Sequence, residues 1–131
     1  ATAGKTHGET ILLVEDESLV RSLAASFLRR DGYCVLEAAD GISARDTARA
    51  TTERIDLLVS DIILPDLNGE KVAELVTAAH PETRVLLISG YGDARDDETA
   101  RTGRRLLQKP FTGSELLETV RHILHEPRPG A

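Results

Sequence analysis

Five short apolar runs constrain the fold of this chain more than any other feature of its sequence. They occupy residues 11–14, 33–36, 57–59, 85–88 and, more weakly, 106–107. Polar residues do not alternate within these runs, and uninterrupted aliphatic stretches of this length are typical of strands buried on both faces of a sheet. We therefore predict five short strands, each buried by elements that cover the sheet.

The segments between the runs repeat their apolar residues with the period of a helix. Each stripe would bury one helix face against the sheet. The stripes consist of Val20, Leu23, Ala24 and Phe27, then Val72, Leu75, Val76 and Ala79, and finally Leu116, Val120, Ile123 and Leu124. Alternating strands and helices predict a parallel sheet with helices on both faces, which binds ligands at the carboxyl ends of its strands.

Local signals mark several helix ends. Gly32 is suited to the C-terminal cap of the first helix. Asn68 or Gly69 would begin the third helix, and Thr112 or Ser114 the last. The segment 93–102 has only two alanines as apolar residues, so the fourth helix is expected to be weak or irregular.

Length and charge limit the function classes. A chain of 131 residues suits one domain, and we divide it into a lead at 1–8, a domain at 9–125 and a flexible tail at 126–131. The net charge of −6 predicts no nucleic-acid contact and no membrane contact by this domain. The single cysteine, Cys34, cannot form an internal disulfide, which fits a cytoplasmic setting.

Charged and hydroxyl residues cluster where the apolar runs end. Since parallel strands end at one edge of a sheet, these side chains should meet there. Several carboxylates in one cleft repel each other unless a cation such as Mg²⁺ neutralises them. The arrangement indicates phosphoryl chemistry, with a lysine as counter-charge and a serine as donor. The residues concerned are Glu15, Asp16 and Glu17, then Ser60 and Asp61, then Ser89 and Gly90, and last Gln108, Lys109 and Pro110.

Four motifs in order resemble those of response-regulator receiver domains. They are VEDE at 14–17, SDIILPDLNG at 60–69, ISG at 88–90 and QKPF at 108–111. The resemblance spans residues 10–125. It implies a flavodoxin-like, doubly wound, five-stranded parallel sheet with strand order 2-1-3-4-5. It also implies a phosphorelay function, in which the partner is a histidine kinase or a histidine phosphotransfer protein. A homodimer is a further option that the resemblance leaves open.

The resemblance assigns the chemical roles residue by residue. Asp61 would accept the phosphoryl group. Glu15, Asp16 and Asp61 would bind Mg²⁺, together with the backbone carbonyl of Ile63. Lys109 would pair with the phosphoryl oxygens.

The remaining family positions shape or switch the site. Ser89 would hydrogen-bond the phosphoryl group and move inward on activation. A cis peptide would join Lys109 to Pro110, while Pro65 and Gly69 would shape the loop after Asp61.

Three features depart from the family pattern. Leu106 stands where an aromatic switch residue is usual, so the chain lacks the aromatic ring whose motion would be coupled to that of Ser89. The spacing from Ser89 to Lys109 is slightly shorter than is usual in the family, and the segment that it shortens is the one expected to form the weak fourth helix. Ile63 and Tyr91 occupy positions that tune dephosphorylation, and because both are bulky we expect a long-lived phosphoryl group.

Finer motifs resemble receivers fused to hybrid histidine kinases. They are GETILLVEDE, SGYGD and LQKPFT, and they suggest the cytoplasmic part of a membrane-bound sensor kinase. A stand-alone single-domain regulator is the alternative. The domain itself would be a phosphoacceptor and not a kinase.

Two other function classes compete. An aspartate-nucleophile phosphatase also forms an aspartyl phosphate, but it needs a second aspartate where this chain has Ile63. A degenerate receiver that only binds partners is the other alternative, and failure to bind Mg²⁺ would favour it.

Overall fold

The computed structural model describes residues 8–90 and 104–126. Five strands and four helices lie within these ranges. In chain order they are β1 (Thr10–Val14), α1 (Ser18–Arg30), β2 (Cys34–Ala38), α2 (Gly41–Ala50), β3 (Leu57–Asp61), α3 (Gly69–Ala79), β4 (Arg84–Ser89), β5 (Arg105–Gln108) and α4 (Gly113–His125). The weak helix predicted at 93–102, most of the predicted lead and most of the predicted tail lie outside the described residues.

The strands form one parallel sheet in the order β2-β1-β3-β4-β5, which confirms the predicted fold class. Its register brings the strand ends level with one another. Val14 of β1 pairs with Ser60 of β3, Asp61 of β3 with Ile88 of β4, and Ser89 of β4 with Gln108 of β5. The residues that follow β1, β3, β4 and β5 therefore emerge at one edge.

The sheet separates two apolar cores, because successive side chains of each strand point to opposite faces. Ile11 and Leu13 of β1 join the α1/α4 core, whereas Leu12 and Val14 join the α2/α3 core. The α1/α4 core takes its helical side chains from Ala24, Ala25, Leu28, Leu116, Val120 and Ile123. The α2/α3 core takes them from Ala44, Ala48, Val72, Ala73 and Val76, together with Leu64 of the β3–α3 loop.

The helix ends follow the local signals. Gly32 adopts a φ of 99°, and its N–H donates to the carbonyl of Arg29 while that of Tyr33 donates to Leu28. This pair of bonds closes α1 in the manner of a Schellman motif. The side chain of Asn68 caps α3, and Thr112 caps α4 in a reciprocal capping box with Glu115.

Within residues 8–90 and 104–126, none of the helices combines the length and apolar character that crossing a bilayer requires.

Candidate acidic metal site

Three carboxylates meet at the edge where β1 and β3 end. Glu15 and Asp16 follow β1 directly, and Asp61 is the last residue of β3. One oxygen from each of the three lies within 4.8 Å of the others. Glu15 is 3% exposed and Asp61 5% exposed, whereas Asp16 is open to solvent. The site therefore has a buried floor and one side that water can reach.

Lys109 brings a positive charge to the two buried acids. Its Nζ lies 3.1 Å from Oε1 of Glu15 and 3.3 Å from Oδ1 of Asp61. It forms its hydrogen bonds with Glu15 Oε1 and, at 3.4 Å, with Asp61 Oδ2. The backbone N–H of Lys109 donates to the carbonyl of Ser89 at 2.8 Å, which fixes the lysine beside the end of β4. The peptide bond to Pro110 is cis, as the sequence predicted.

Burial and hydrogen bonding together shift the pKa values of the two buried acids in opposite directions. Burial raises the pKa of Asp61 to about 7, and the charge of Glu15 adds to this rise while Lys109 opposes it. Burial would also raise the pKa of Glu15, but hydrogen bonds from the backbone of Glu17, from Asp61 and from Lys109 hold that pKa below its usual value. In Lys109, burial lowers the pKa, but the charges of Asp61 and Glu15 raise it above its ordinary value. The cluster is a buried acid pair that one ammonium neutralises only in part.

The donor set fits a magnesium ion. Among the described residues, Oδ1 of Asp61 is buried and accepts no hydrogen bond. Such an atom is costly unless a ligand satisfies it. Three carboxylates with an open, hydrated side match the preference of Mg²⁺ for few protein oxygens and several waters. Asp61 Oδ1, Glu15 and Asp16 could therefore share one divalent cation.

The loop after Asp61 carries two further predicted residues, Ile63 and Pro65, and a third, Ser89, lies at the end of β4. Ile63 lies two positions beyond Asp61; its side chain is 61% exposed and its backbone forms a bridge with Asn68. Pro65 is exposed near the tip of the loop. Ser89 ends β4, is 2% exposed, and its hydroxyl donates to the carbonyl of Gly90 at 3.2 Å.

Gly69 is required where the loop returns to the site. Its N–H donates to the carbonyl of Ile62 at 2.7 Å. A Cβ at Gly69 would lie 2.6 Å from the backbone oxygen of Asp61 and 3.0 Å from Cα of Ile62. Both contacts involve backbone atoms, so a side chain at this position would displace the residue that carries the carboxylate.

Two further predicted positions are less informative. Leu106 of β5 is half-buried and packs against the α2/α3 core. Tyr91 lies outside the described residues. The structure therefore brings Glu15, Asp16, Asp61 and Lys109 together, with Ser89 at the same edge.

Sequence reasoning missed two residues that hold the site in place. Arg21 of α1 donates from Nη1 to the carbonyl of Glu15 at 2.8 Å and pairs with Glu37 of β2 at 3.3 Å. Asp66, near the tip of the loop after Asp61, accepts hydrogen bonds from the start of α2. Each bond joins segments that are distant in sequence or involves a backbone atom, so neither residue type nor spacing reveals it.

The family of the chain follows from this fold and site. The model of the response regulator receiver domain matches residues 11–121, and the chain belongs to that family. It is thus a receiver domain of the kind found in two-component signal transduction.

Several known proteins are similar to this chain. The sensor kinase CckA of Brucella abortus is 34% identical over 89% of this chain, and CpdR of the same organism is 29% identical over 87% of it and 95% of its own length. The crystal structure of the receiver domain of the hybrid histidine kinase CckA is 38% identical, covers 88% of this chain and 99% of its own, and has a TM-score of 0.75. The chain spans 13% of the length of Brucella CckA and 49% of that of the regulator TcrX of Mycobacterium tuberculosis.

Proposed function

We propose that this domain accepts a phosphoryl group on Asp61 in a magnesium-dependent reaction. The observation that carries the proposal is the buried Oδ1 of Asp61, which accepts no hydrogen bond from the described residues although a lysine and two further acids surround it. A magnesium ion held by the three carboxylates would satisfy this atom, and a phosphoryl donor would share the same ion beside Asp61.

The chemistry is an in-line transfer between two acceptors. A carboxylate oxygen of Asp61 attacks the phosphorus of a phosphohistidine. The new P–O bond forms as the P–N bond breaks, and the imidazole nitrogen keeps the electron pair of that bond. The donor ring reacts with its other nitrogen protonated, so the imidazole leaves as a neutral histidine and Asp61 becomes an acyl phosphate.

Glu15, Asp16 and Asp61 would hold the magnesium ion, with the backbone carbonyl of Ile63 as the fourth protein ligand. The ion, when bound, neutralises the charge that builds up on the phosphoryl oxygens. Lys109 would pair with a second phosphoryl oxygen, since its Nζ already lies within 3.4 Å of both Asp61 oxygens. The hydroxyl of Ser89, at the end of the neighbouring strand, would donate to a third.

An apolar groove beside the site supports a protein as the phosphodonor. The groove encloses about 460 Å³ between α1 and the β5–α4 loop. Its lining includes Lys109 of the site, and Leu23 in its wall is 59% exposed. The lining residues are Glu17, Val20, Leu23, Ala24, Phe27, Lys109, Pro110, Phe111, Thr112, Gly113 and Leu116. A helix with the phosphohistidine on it would fill the groove and bring that histidine to Asp61.

The parent protein is a finer part of the proposal. We assign the receiver to residues 9–125. We infer that it is part of a hybrid histidine kinase and lies in the cytoplasmic portion of that protein. Similarity to the receiver of the hybrid kinase CckA supports this, whereas similarity to the short regulator CpdR supports the stand-alone alternative.

Intact mass spectrometry tests the function. The protein is incubated with a small acyl phosphate, with and without Mg²⁺, and compared with Asp61→Asn and with Asp46→Asn, an exposed aspartate of α2. We expect one phosphoryl group on the wild type and on Asp46→Asn only when Mg²⁺ is present, and none on Asp61→Asn.

Other results would overturn the proposal. Phosphorylation that persists in Asp61→Asn would place the acceptor elsewhere. Intact Mg²⁺ binding without phosphorylation would favour a binding module, and steady turnover of an external phosphate ester would favour a phosphatase.

A further inference from the structure

The loop of residues 62–68, which follows Asp61, is hydrogen-bonded to α2, a helix that contributes no carboxylate to the acidic site. The Oδ1 of Asp66 accepts hydrogen bonds from the N–H of Gly41 and from that of Leu67, both at 2.8 Å. Its Oδ2 accepts from the N–H of Ile42 at 2.8 Å. One carboxylate thus joins the loop to the first turn of α2.

Two aspartates divide the free N–H groups at the start of α2. The first N–H groups of a helix lack partners within the helix. Asp40, the N-cap residue, takes only that of Ser43, at 2.7 Å. Asp66 takes those of Gly41 and Ile42, from a position 25 residues after Gly41. Both acids stabilise the helix end, but only Asp66 connects it to the loop.

Packing shows that loop and helix are in close contact. A Cβ on Gly41 would lie 2.8 Å from Cβ and Cδ1 of Leu67, so only a glycine lets the two segments approach this far. At its base the loop is held by the bond from Gly69 N–H to the Ile62 carbonyl and by the bridge between Ile63 and Asn68. The tip is therefore held by Asp66 and the base by backbone pairing.

Ile63 depends on this arrangement for its position. Its side chain is 61% exposed and thus buries little surface that could fix it. Ile62 and Leu64, its neighbours, are 1% and 9% exposed and point into the α2/α3 core. The backbone of Ile63 is thus placed both by the core packing of its two neighbours and by the bonds that hold the rest of the loop.

We propose that Asp66 is a positioning residue for the metal site: by tying the tip of the loop to α2, it fixes the backbone carbonyl of Ile63 where a divalent cation can use it. The inference rests on the proposed function, since it concerns the same site. It adds α2, through Gly41 and Ile42, to the elements that determine metal affinity.

Mg²⁺ titration of the full chain, followed by amide NMR shifts, tests the role of Asp66. Asp66→Ala removes the tie, and Asp40→Ala is the matched control because it removes a cap from the same helix end. We expect the half-saturating Mg²⁺ concentration to rise roughly 10-fold in Asp66→Ala, the low end for groups that orient metal ligands. In Asp40→Ala it should stay within about twofold of the wild type.

Two further readouts separate positioning from simple stabilisation. The phosphorylation rate at saturating Mg²⁺ should remain near that of the wild type in Asp66→Ala. In the metal-free variant, the amides of Gly41, Ile42 and Leu67 should exchange faster with solvent. If Asp66→Ala does not fold, Asp66→Asn gives the same decision, because it keeps the Oδ1 acceptor and loses the Oδ2 acceptor, and we expect a smaller rise.

The outcomes are distinguishable. Wild-type protein that does not bind Mg²⁺ would overturn the proposed function. Wild-type binding with an unchanged half-saturation in the Asp66 variants would overturn the positioning role alone. A reduced folded fraction with unchanged half-saturation, or an equal rise in Asp40→Ala, would show that Asp66 only stabilises α2.

Discussion

Asp61 makes the folded protein sensitive to pH at the level of a single residue. Its pKa is about 7 in the folded chain, against an ordinary value of 3.8. Between these values the folded state binds more protons than the unfolded state, so this residue lowers the free energy of unfolding as pH rises from about 4 to about 7. Above pH 7 the effect is complete, and the metal-free protein retains a buried charge that it does not fully satisfy.

Asp61→Asn should therefore stabilise the metal-free protein more at pH 8 than at pH 5. The substitution removes the buried charge, and the gain at pH 8 should be on the order of 2 kcal/mol. Urea unfolding of both proteins at the two pH values measures it, with Asp46→Asn as the exposed control. A difference in stability that does not change with pH would contradict the raised pKa.

Ile63 permits a second prediction for a single residue. Its bulky side chain lies two positions after the acceptor, where we expect it to hinder a water that attacks the acyl phosphate. Ile63→Asn should shorten the lifetime of phosphorylated Asp61 several-fold, since the amide is polar and can orient that water. Decay of the phosphorylated species, followed by mass spectrometry in Mg²⁺ after the phosphodonor is removed, measures the lifetime, and an unchanged lifetime would show that Ile63 does not control access.

At the level of elements, the sequence predicted what depends on local pattern and missed what depends on distant contacts. The five apolar runs mark β1 to β5, and β1, β3 and β4 are buried on both faces as the lack of alternation predicted. The edge strands β2 and β5 keep exposed positions. The apolar pattern did not delimit α2, whose buried residues are the small Gly41, Ala44 and Ala48. The bonds from Asp66 to this helix were equally unpredictable, because their partners lie 24 and 25 residues away.

Gly69→Ala should destabilise the fold through the start of α3. Alanine normally favours a helix over glycine by roughly 0.5–1 kcal/mol, but here its Cβ would lie 2.6 Å from the Asp61 carbonyl oxygen. We expect the clash to outweigh the helix gain, with a net loss of about 1–3 kcal/mol in the free energy of unfolding. Urea unfolding measures this loss. Gly90→Ala is the control, because a Cβ there meets no described atom within 4 Å, and a Gly69 variant as stable as this control would refute the close approach.

For the molecule as a whole, the proposed docking groove and the loop that carries Ile63 and Asp66 lie on opposite faces of the sheet. The groove proposed for the phosphodonor lies on the side of α1 and α4, over the α1/α4 core. The loop that carries Ile63 and Asp66 packs through Leu64 on the α2/α3 core. The acidic site lies between them, at the edge where β1 and β3 end.

Leu23→Asp should separate protein recognition from chemistry. A charge in the groove wall should slow transfer from a phosphorylated histidine phosphotransfer protein roughly 10-fold, as expected when a buried apolar contact is lost. Phosphorylation by a small acyl phosphate should not change. Rates from both donors measure the effect, and Leu19→Asp is the control, since Leu19 is 84% exposed on the same helix and does not line the groove. Equal slowing with both donors would place Leu23 in the chemistry rather than in docking.

The division of the interior into two cores has a consequence for how such domains diverge. A substitution in the α1/α4 core reshapes the groove without touching Leu64, and one in the α2/α3 core adjusts the loop without touching Phe111. Leu86 and Leu87, adjacent in β4, lie in different cores, so a substitution at either position alters the packing on one face only. The surface that would meet a partner can thus vary without disturbing the packing beneath the loop that carries Ile63 and Asp66.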